Sequence, residues 1–191
     1  MKKIRNFKVN LRTREIIRVI KKLTNAAEMD VETEEFVQRA CHFYSGFVAP
    51  SVVYDTFSKD TVSFVYEKDA PSKWIARSVF FITIGTKLEE EFKKNESAFG
   101  EHSKTIVSAI AVDALEQAKN FTQRLIAAEA ADENCDISRS AEIPADLYEE
   151  AAKVVPADKI DISVIEGKLS PQYSTCGLFY WTPSGKRKAR K

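Results

Sequence analysis

Nucleophilic and acid–base chemistry needs a thiol, hydroxyl or carboxylate beside a base, and this chain of 191 residues has few bases. His42 and His102 are its two histidines; Cys41, Cys135 and Cys176 are its three cysteines. Any Cys–His or Ser–His–Asp arrangement must use one of those histidines. Cys41 and His42 are adjacent, and neighbours on a helix point about 100° apart, so they do not face each other. No two cysteines lie within four residues of one another. That spacing excludes a Cys-x-x-Cys zinc or redox site, and the odd count argues against a disulfide framework. No metal-ligand spacing and no glycine-rich phosphate loop is present. The chain therefore shows no catalytic residues of its own, and two positions remain of chemical interest. Asp113 borders an apolar helical stripe, either as a solvated edge residue or as a group placed for a ligand or a helix cap. Gly85 joins a strand to a helix, where free backbone N–H groups collect.

The elements that position these residues follow from periodicity. Ile16, Val19, Ile20 and Leu23 fall at helical spacing behind Thr13, which predicts a helix over 13–24 capped by Thr13. A second helix is predicted from Thr33, with acids in its first turn and an end at Pro50. Cys41 lies in its apolar stripe with Phe36, Val37, Ala40 and Tyr44, and is expected to be buried and inert. The residues 52–57 and 61–66 are β-branched and aromatic, and the short Ser58-Lys59-Asp60 between them predicts a hairpin. Ser78 to Gly85 is almost wholly apolar, as a strand covered on both faces would be. It passes through Gly85-Thr86 into a helix beginning Lys87-Leu88-Glu89-Glu90. The longest predicted helix runs from His102 to Ala128. Residues 129–144 read as a polar loop, 145–155 as a short helix, 160–165 as a strand or short element, and 177–181 as a final strand. Strands near 52–84 and 176–182 flanking several helices predict an α+β domain with a mixed or antiparallel sheet.

Composition fits one soluble domain: 44% of residues are hydrophobic and 30% charged. No apolar run reaches the roughly 18 residues of a membrane span. The basic start, Met1 to Lys8, has no apolar stretch after it, so a cytoplasmic location is expected. Lysine and arginine (29) nearly balance aspartate and glutamate (28), but five of the cations fall in the last six residues. Without those five the net charge of +1 becomes −4, a mildly acidic body that argues against a nucleic-acid-binding domain. The expected organisation is a domain over 1–183 and a loose basic tail over 184–191.

The order of segments carries further information. An acid-capped helix is followed by Phe47-Val48-Ala49-Pro50-Ser51-Val52-Val53-Tyr54. Next come Ile82-Thr83-Ile84-Gly85-Thr86-Lys87-Leu88-Glu89-Glu90-Glu91, then Val112-Asp113-Ala114-Leu115 within the long helix, then Leu169-Ser170-Pro171-Gln172-Tyr173-Ser174-Thr175-Cys176-Gly177. In this order the chain resembles the activation domain of cobalamin (vitamin B12)-dependent methionine synthase, in its small stand-alone form, over roughly residues 10–182. The last stretch resembles that family's Met-x-Pro-x-x-Ser-x-Ser-Gly turn, with Cys176 in place of the second serine.

The resemblance implies a function. A domain of this family binds S-adenosylmethionine (AdoMet) and presents its methyl group to cobalamin held elsewhere. A flavodoxin-like reductant supplies one electron, and methylcobalamin is restored for methionine biosynthesis. Here the corrinoid would reside on a separate partner protein or methyltransferase. The implied ligand residues are Arg139 for the AdoMet carboxylate, Glu133 for its ammonium, and Glu166, Ser174 and Gly177 around it. The family's Arg-x-x-Pro-Gly-Tyr-Pro becomes Arg139-Ser140-Ala141-Glu142-Ile143-Pro144, so the Pro-Gly-Tyr centre is missing. Its tyrosine before the later proline becomes Gly167, and a small glycine in the long helix becomes Glu116. The alternative expectation is a scaffold or protein-interaction domain that kept the fold and lost the pocket, with Glu142, Ile143 or Tyr148 filling the groove. On the activation reading, the turns around Gly85 and Pro171 border a common hollow.

Overall fold

The structure is a computed structural model that describes residues 1–61, 66, 70–95 and 103–185. His102, most of the segment predicted as the second hairpin strand, and Lys186 to Lys191 fall outside that set. The strands are β1 (Lys2–Arg5), β2 (Ser51–Ser58), β3 (Ala76–Thr83), β4 (Cys135–Ile137), β5 (Ala141–Glu142), β6 (Ser163–Ile165), β7 (Lys168–Ser170) and β8 (Ser174–Pro183). The helices are α1 (Thr13–Thr24), α2 (Val31–Ser45), α3 (Lys87–Asn95), α4 (Ser103–Asp132) and α5 (Tyr148–Val154).

Six strands form one antiparallel sheet in the order β1-β2-β3-β8-β4, with β5 also paired to β8; β6 and β7 form a separate hairpin. Alternation along the central strands sorts two cores. Val52, Tyr54, Phe80, Ile82, Phe179 and Trp181 face α4, where they meet Ala118, Ile126 and Ala130. Val53, Val79, Phe81, Cys176, Leu178 and Tyr180 face the other way, onto α5 and the short helical turn at Ala157–Ile160. A strand buried on both faces needs apolar residues at every position, which accounts for the continuous run after Ser78. A third core joins α1 and α2 to the first half of α4, where Ala109, Ala111 and Ala114 let the backbones approach closely.

Several expectations are corrected in detail. Thr13 is the first residue of α1 and not its cap. The second helix starts at Val31, with the Asp30 carboxylate accepting the Thr33 amide at 2.7 Å. That bond holds the Asp30 carboxyl below the usual range. The hairpin partner of β2 is β3, which pairs with it from Ser51 to Ser58. The stretch read as a loop over 129–144 continues α4 to Asp132 and then forms β4 and β5. Both strands are too short to show a period, and each depends on the open edge of β8 for its hydrogen bonds. The basic N-terminus forms β1.

Asp113 is not a solvated edge residue, since it is 2% exposed. Its carboxylate accepts from the Arg12 backbone amide at 2.9 Å and from Arg12 Nε and Nη2 at 2.9 and 2.7 Å. Gln117 Nε2 donates to it at 2.8 Å. Arg12 is the residue before the first turn of α1, so Asp113 lays negative charge at that helix N-terminus and ties α1 to α4. Burial against Arg12 and Gln117 replaces the solvated-edge alternative.

Removing Arg12 strands a buried carboxylate, whereas removing both charges does not. R12A is expected to cost about 3 kcal/mol, and the double variant R12A/D113N to recover at least about 1 kcal/mol of that loss. Urea denaturation at constant slope measures both; a double variant no more stable than R12A would refute the pairing argument.

Candidate functional site

The strand β8 decides where the expected ligand residues sit. It runs ten residues from Ser174 to Pro183, so its ends lie about 30 Å apart. Glu133 is at one end: its neighbour Asn134 accepts the Ser184 amide at 2.9 Å, and Cys135 pairs with Pro183. Ser174 is at the other end, opposite Thr83. Arg139 is exposed beside the middle, one residue after Ser138, whose amide donates to the Tyr180 carbonyl at 2.8 Å. Gly177 pairs with Phe80 and with Glu142. Ser174 shares a face with Cys176, whereas Gly177 lies on the α4 face, where Glu142 reaches Lys119 at 3.7 Å. Glu166 is exposed in the β6–β7 turn, and the adjoining Gly167 lies against Ala145. The structure thus joins Gly177 to Glu142, and the Glu166 turn to the stretch after Pro144. Glu133, Arg139 and Ser174 stay apart, with no side-chain hydrogen bond or ion pair linking them among the described residues.

Gly177 has a packing reason independent of any ligand. A Cβ there would sit 2.6 Å from Phe80 Cζ and 2.9 Å from the Ala141 carbonyl oxygen. The side chain must be absent for β5 and Phe80 to close on β8.

Glu133 borders a hollow of about 440 Å³ between the end of α4 and the sheet edge. Glu129, Asp132, Lys2, Thr56 and Trp181 line it as well. Glu129 is already engaged: Lys2 Nζ lies 2.9 Å away, and the Tyr54 hydroxyl donates to it. Burial and that carboxylate together push the Tyr54 phenol well up. Asp132 and Glu133 are exposed and have no ion pair among the described residues. Beneath them a fixed chain of bonds backs the wall. Trp181 Nε1 donates to Ser78 Oγ at 2.8 Å, and Ser78 Oγ lies 2.7 Å from Thr56 Oγ1. Three acids against one lysine make this hollow suited to a cation, and its size falls in the range of small-molecule sites. Sequence reasoning placed Glu133 here but missed Glu129 and Asp132. They lie four and one residues earlier on the last turn of α4, in a stretch read as loop.

The stretch Arg139–Pro144 does not form an open cradle. Ile143 is 2% exposed and belongs to the core beneath the sheet; its amide donates to the Cys176 carbonyl at 3.3 Å. Tyr148 packs against the same core, and burial pushes its phenol up. Arg139 lines neither this hollow nor the one at the opposite end. There, Gly85 and Pro171 do border a common space of about 170 Å³.

The three cysteines are buried and free. Burial pushes the Cys41 thiol up to about 11, and Cys176 is raised by burial as well. Neither supplies a thiolate near neutral pH.

With this geometry in view, the comparisons give the class. No family model matches the chain, and no curated protein sequence matches it. A solved structure described as the MetH reactivation domain bound to AdoHcy matches 97% of this chain and 80% of its own, at a TM-score of 0.65 and 11% identity. The chain is a single α+β domain with an antiparallel sheet and helices, and it has the fold of the MetH reactivation domain. No helix among the described residues is long and apolar enough to cross a membrane.

Two outcomes test the packing assignments. G177A is expected to lose about 2–3 kcal/mol by overpacking against Phe80 and the Ala141 carbonyl, read as a lowered urea midpoint; an unchanged midpoint contradicts it. Native Cys41 is expected to resist iodoacetamide near neutral pH, with alkylation accelerating only as pH rises toward about 11. Rapid native labelling at neutral pH, located by mass spectrometry, would show that the thiol is not buried as described.

Proposed function

We propose that this chain is an activation-type accessory domain that binds a cationic nucleoside ligand of the AdoMet class and acts on a corrinoid held by a separate protein. The observation that carries the reading is the fold itself, shared over 97% of the chain with a domain that holds AdoHcy. The acidic hollow at the end of α4 supports the ligand class. AdoMet bears a sulfonium and an ammonium against one carboxylate, so a wall of Glu129, Asp132 and Glu133 favours it over neutral analogues. In this reading Glu133 and Asp132 face the ligand's positive charge. Trp181 supplies an apolar wall and Lys2 the nearest cation for the carboxylate. Ser174 does not fit one ligand with Glu133, because the length of β8 separates them, and Arg139, Glu166 and Gly177 are not in the lining of the hollow that Glu133 borders. The methyl donor chemistry belongs to AdoMet and the corrinoid; the work of this chain is to hold one and dock on the carrier of the other, with a flavodoxin-like protein as electron source.

A second reading has its own support. Ile143 occupies the core at the position where the resembling family keeps a glycine turn. On that basis the chain is a protein-interaction scaffold that retains the fold without the ligand.

Isothermal titration separates the two. The first reading expects saturable AdoMet binding, weaker binding of AdoHcy, and an approximately tenfold loss of AdoMet affinity in E133Q, equivalent to about 1.4 kcal/mol. R139A is expected to change little. Absence of AdoMet binding, with a corrinoid protein still co-purifying, would establish the scaffold reading; absence of both would remove the activation reading altogether.

A further inference from the structure

The hollow shared by Gly85 and Pro171 has a chemistry of its own. Its floor is a row of polar side chains set by strand register. Arg5 on β1 lies opposite Ser51 on β2, Ser51 opposite Thr83 on β3, and Thr83 opposite Ser174 on β8. Directly paired residues point to the same face, so all four side chains stand on the side away from α4. Such a row at the end of a buried sheet is costly unless its hydroxyls find partners. Two do not. Ser51 is 5% exposed, lines the hollow, and its hydroxyl makes no hydrogen bond among the described residues. Ser174 Oγ is buried without a partner. Thr83 differs, since its Oγ1 accepts the Gly85 amide at 3.0 Å.

The roof is the start of α3. Gly85 has φ +82°, and a Cβ there would stand 3.4 Å from Ala49 in a left-handed backbone, so the turn requires glycine. Gly85, Thr86 and Lys87 at the start of α3 line the hollow, and no side-chain oxygen is bonded to the first amides of α3 among the described residues. Lys87 lines the hollow without an ion pair. The acids nearby are accounted for. Asp161 takes Arg5 at 2.6 and 3.2 Å, Glu89 takes Lys93 at 3.0 Å, and Glu90 lies outside the lining. What remains is the start of α3 with Lys87 on one side and the unbonded Ser51 hydroxyl of β2 on the other, with the Arg5–Asp161 pair also in the lining.

We propose that this hollow is a binding site for a small tetrahedral oxyanion, a phosphate either free or at the end of a small ester. Donors from β2 and from the start of α3, with a lysine beside them, suit a group whose several oxygens point in different directions. The volume of about 170 Å³ lies below the usual range for nucleoside-sized ligands and admits a phosphate. The site is distinct from the acidic hollow and does not rest on the activation reading.

The test uses the full chain with inorganic phosphate, glycerol 3-phosphate and, at matched ionic strength, chloride. Either phosphate is expected to move the amide resonances of Ser51, Gly85, Thr86 and Lys87 saturably, and to raise the melting temperature by mass action. K87Q, exposed and expected to fold normally, should weaken this response about tenfold. S51A should abolish most of it while leaving the phosphate-free protein as stable or more so, because the deleted hydroxyl has no partner there. A response equalled by chloride, or one unchanged in both variants, overturns the proposal. Loss of stability in S51A without phosphate would overturn the claim that the hydroxyl is unpartnered. None of these readouts depends on AdoMet.

Discussion

The antiparallel pairing of β3 with β8, covered on both faces, is the constraint from which the rest of the architecture follows. From Ala76 opposite Trp181 to Thr83 opposite Ser174, the ladder excludes water along eight paired positions. Val79 to Ile82 on β3 and Cys176 to Trp181 on β8 are all buried hydrophobic residues apart from Gly177. Nothing polar can be recruited from the middle of such a ladder without losing hydration that the interior does not replace. Of the polar residues on the ladder, Ser78 lies under Thr56 and Trp181 Nε1 and is bonded to both, Arg77 is buried with its guanidinium over the Trp74 ring, and Ser174 Oγ at the end has no partner. Ligand chemistry is therefore confined to the two ends and the open edge, and each end is furnished differently.

The same constraint explains what was legible beforehand. A strand buried on two faces announces itself as an uninterrupted apolar run, so β3 was readable within two residues. α1 showed its period through Ile16 and Ile20, and the first half of the long helix through Ile106, Ile110 and Ala114; in its second half the stripe expected at Phe121, Leu125 and Ala128 is displaced by one position, since Thr122, Ile126 and Ala130 are the buried residues. The left-handed turn at Gly85 was readable because an apolar run met an acid-rich helix across one glycine. What failed was short and dependent. β4 and β5 have three and two residues and exist only because β8 offers an unpaired edge. β1 is basic and has no alternation to read, yet it completes β2 on its free side. Asp113 was visible as an anomaly, but its partner Arg12 lies 101 positions away. No local pattern links a carboxylate to a guanidinium at that distance.

Site residues were harder to read than the fold for a related reason. Fold at 11% identity survives because any apolar residue of suitable volume satisfies a ladder position. A ligand cradle is satisfied only by particular groups at particular points. Residue-by-residue transfer from a resembling family presumes that the intervening backbone is unchanged. Between Arg139 and Pro144 this chain places Ile143 in the core with Ala151 and Val155. An isoleucine in place of a glycine turn gains apolar burial and gives up close backbone approach to a ligand. The Arg139 side chain is left exposed, outside the lining of both hollows at the ends of β8. Glu133 escapes that change because α4 positions it, and α4 is fixed against the sheet by Ala118, Ile126 and Ala130.

The contrast between the two ends of β8 is electrostatic as well as spatial. At the Trp181 end, α4 terminates among Glu129, Asp132 and Glu133, adding carboxylates to the negative end of a helix dipole. Uncompensated, that arrangement is unfavourable, and Lys2 relieves only Glu129. At the Ser174 end, α3 begins with its amides unpaired and a free lysine beside them, which is unfavourable with the opposite sign. A domain under selection for stability alone would reverse these charges, with lysines closing α4 and an Asp or Ser capping α3. Both mismatches, about 30 Å apart on one ladder, are the features on which the two ligand proposals rest. On the two proposals above, ligands at the two ends would bind to one continuous eight-pair ladder without touching a common residue.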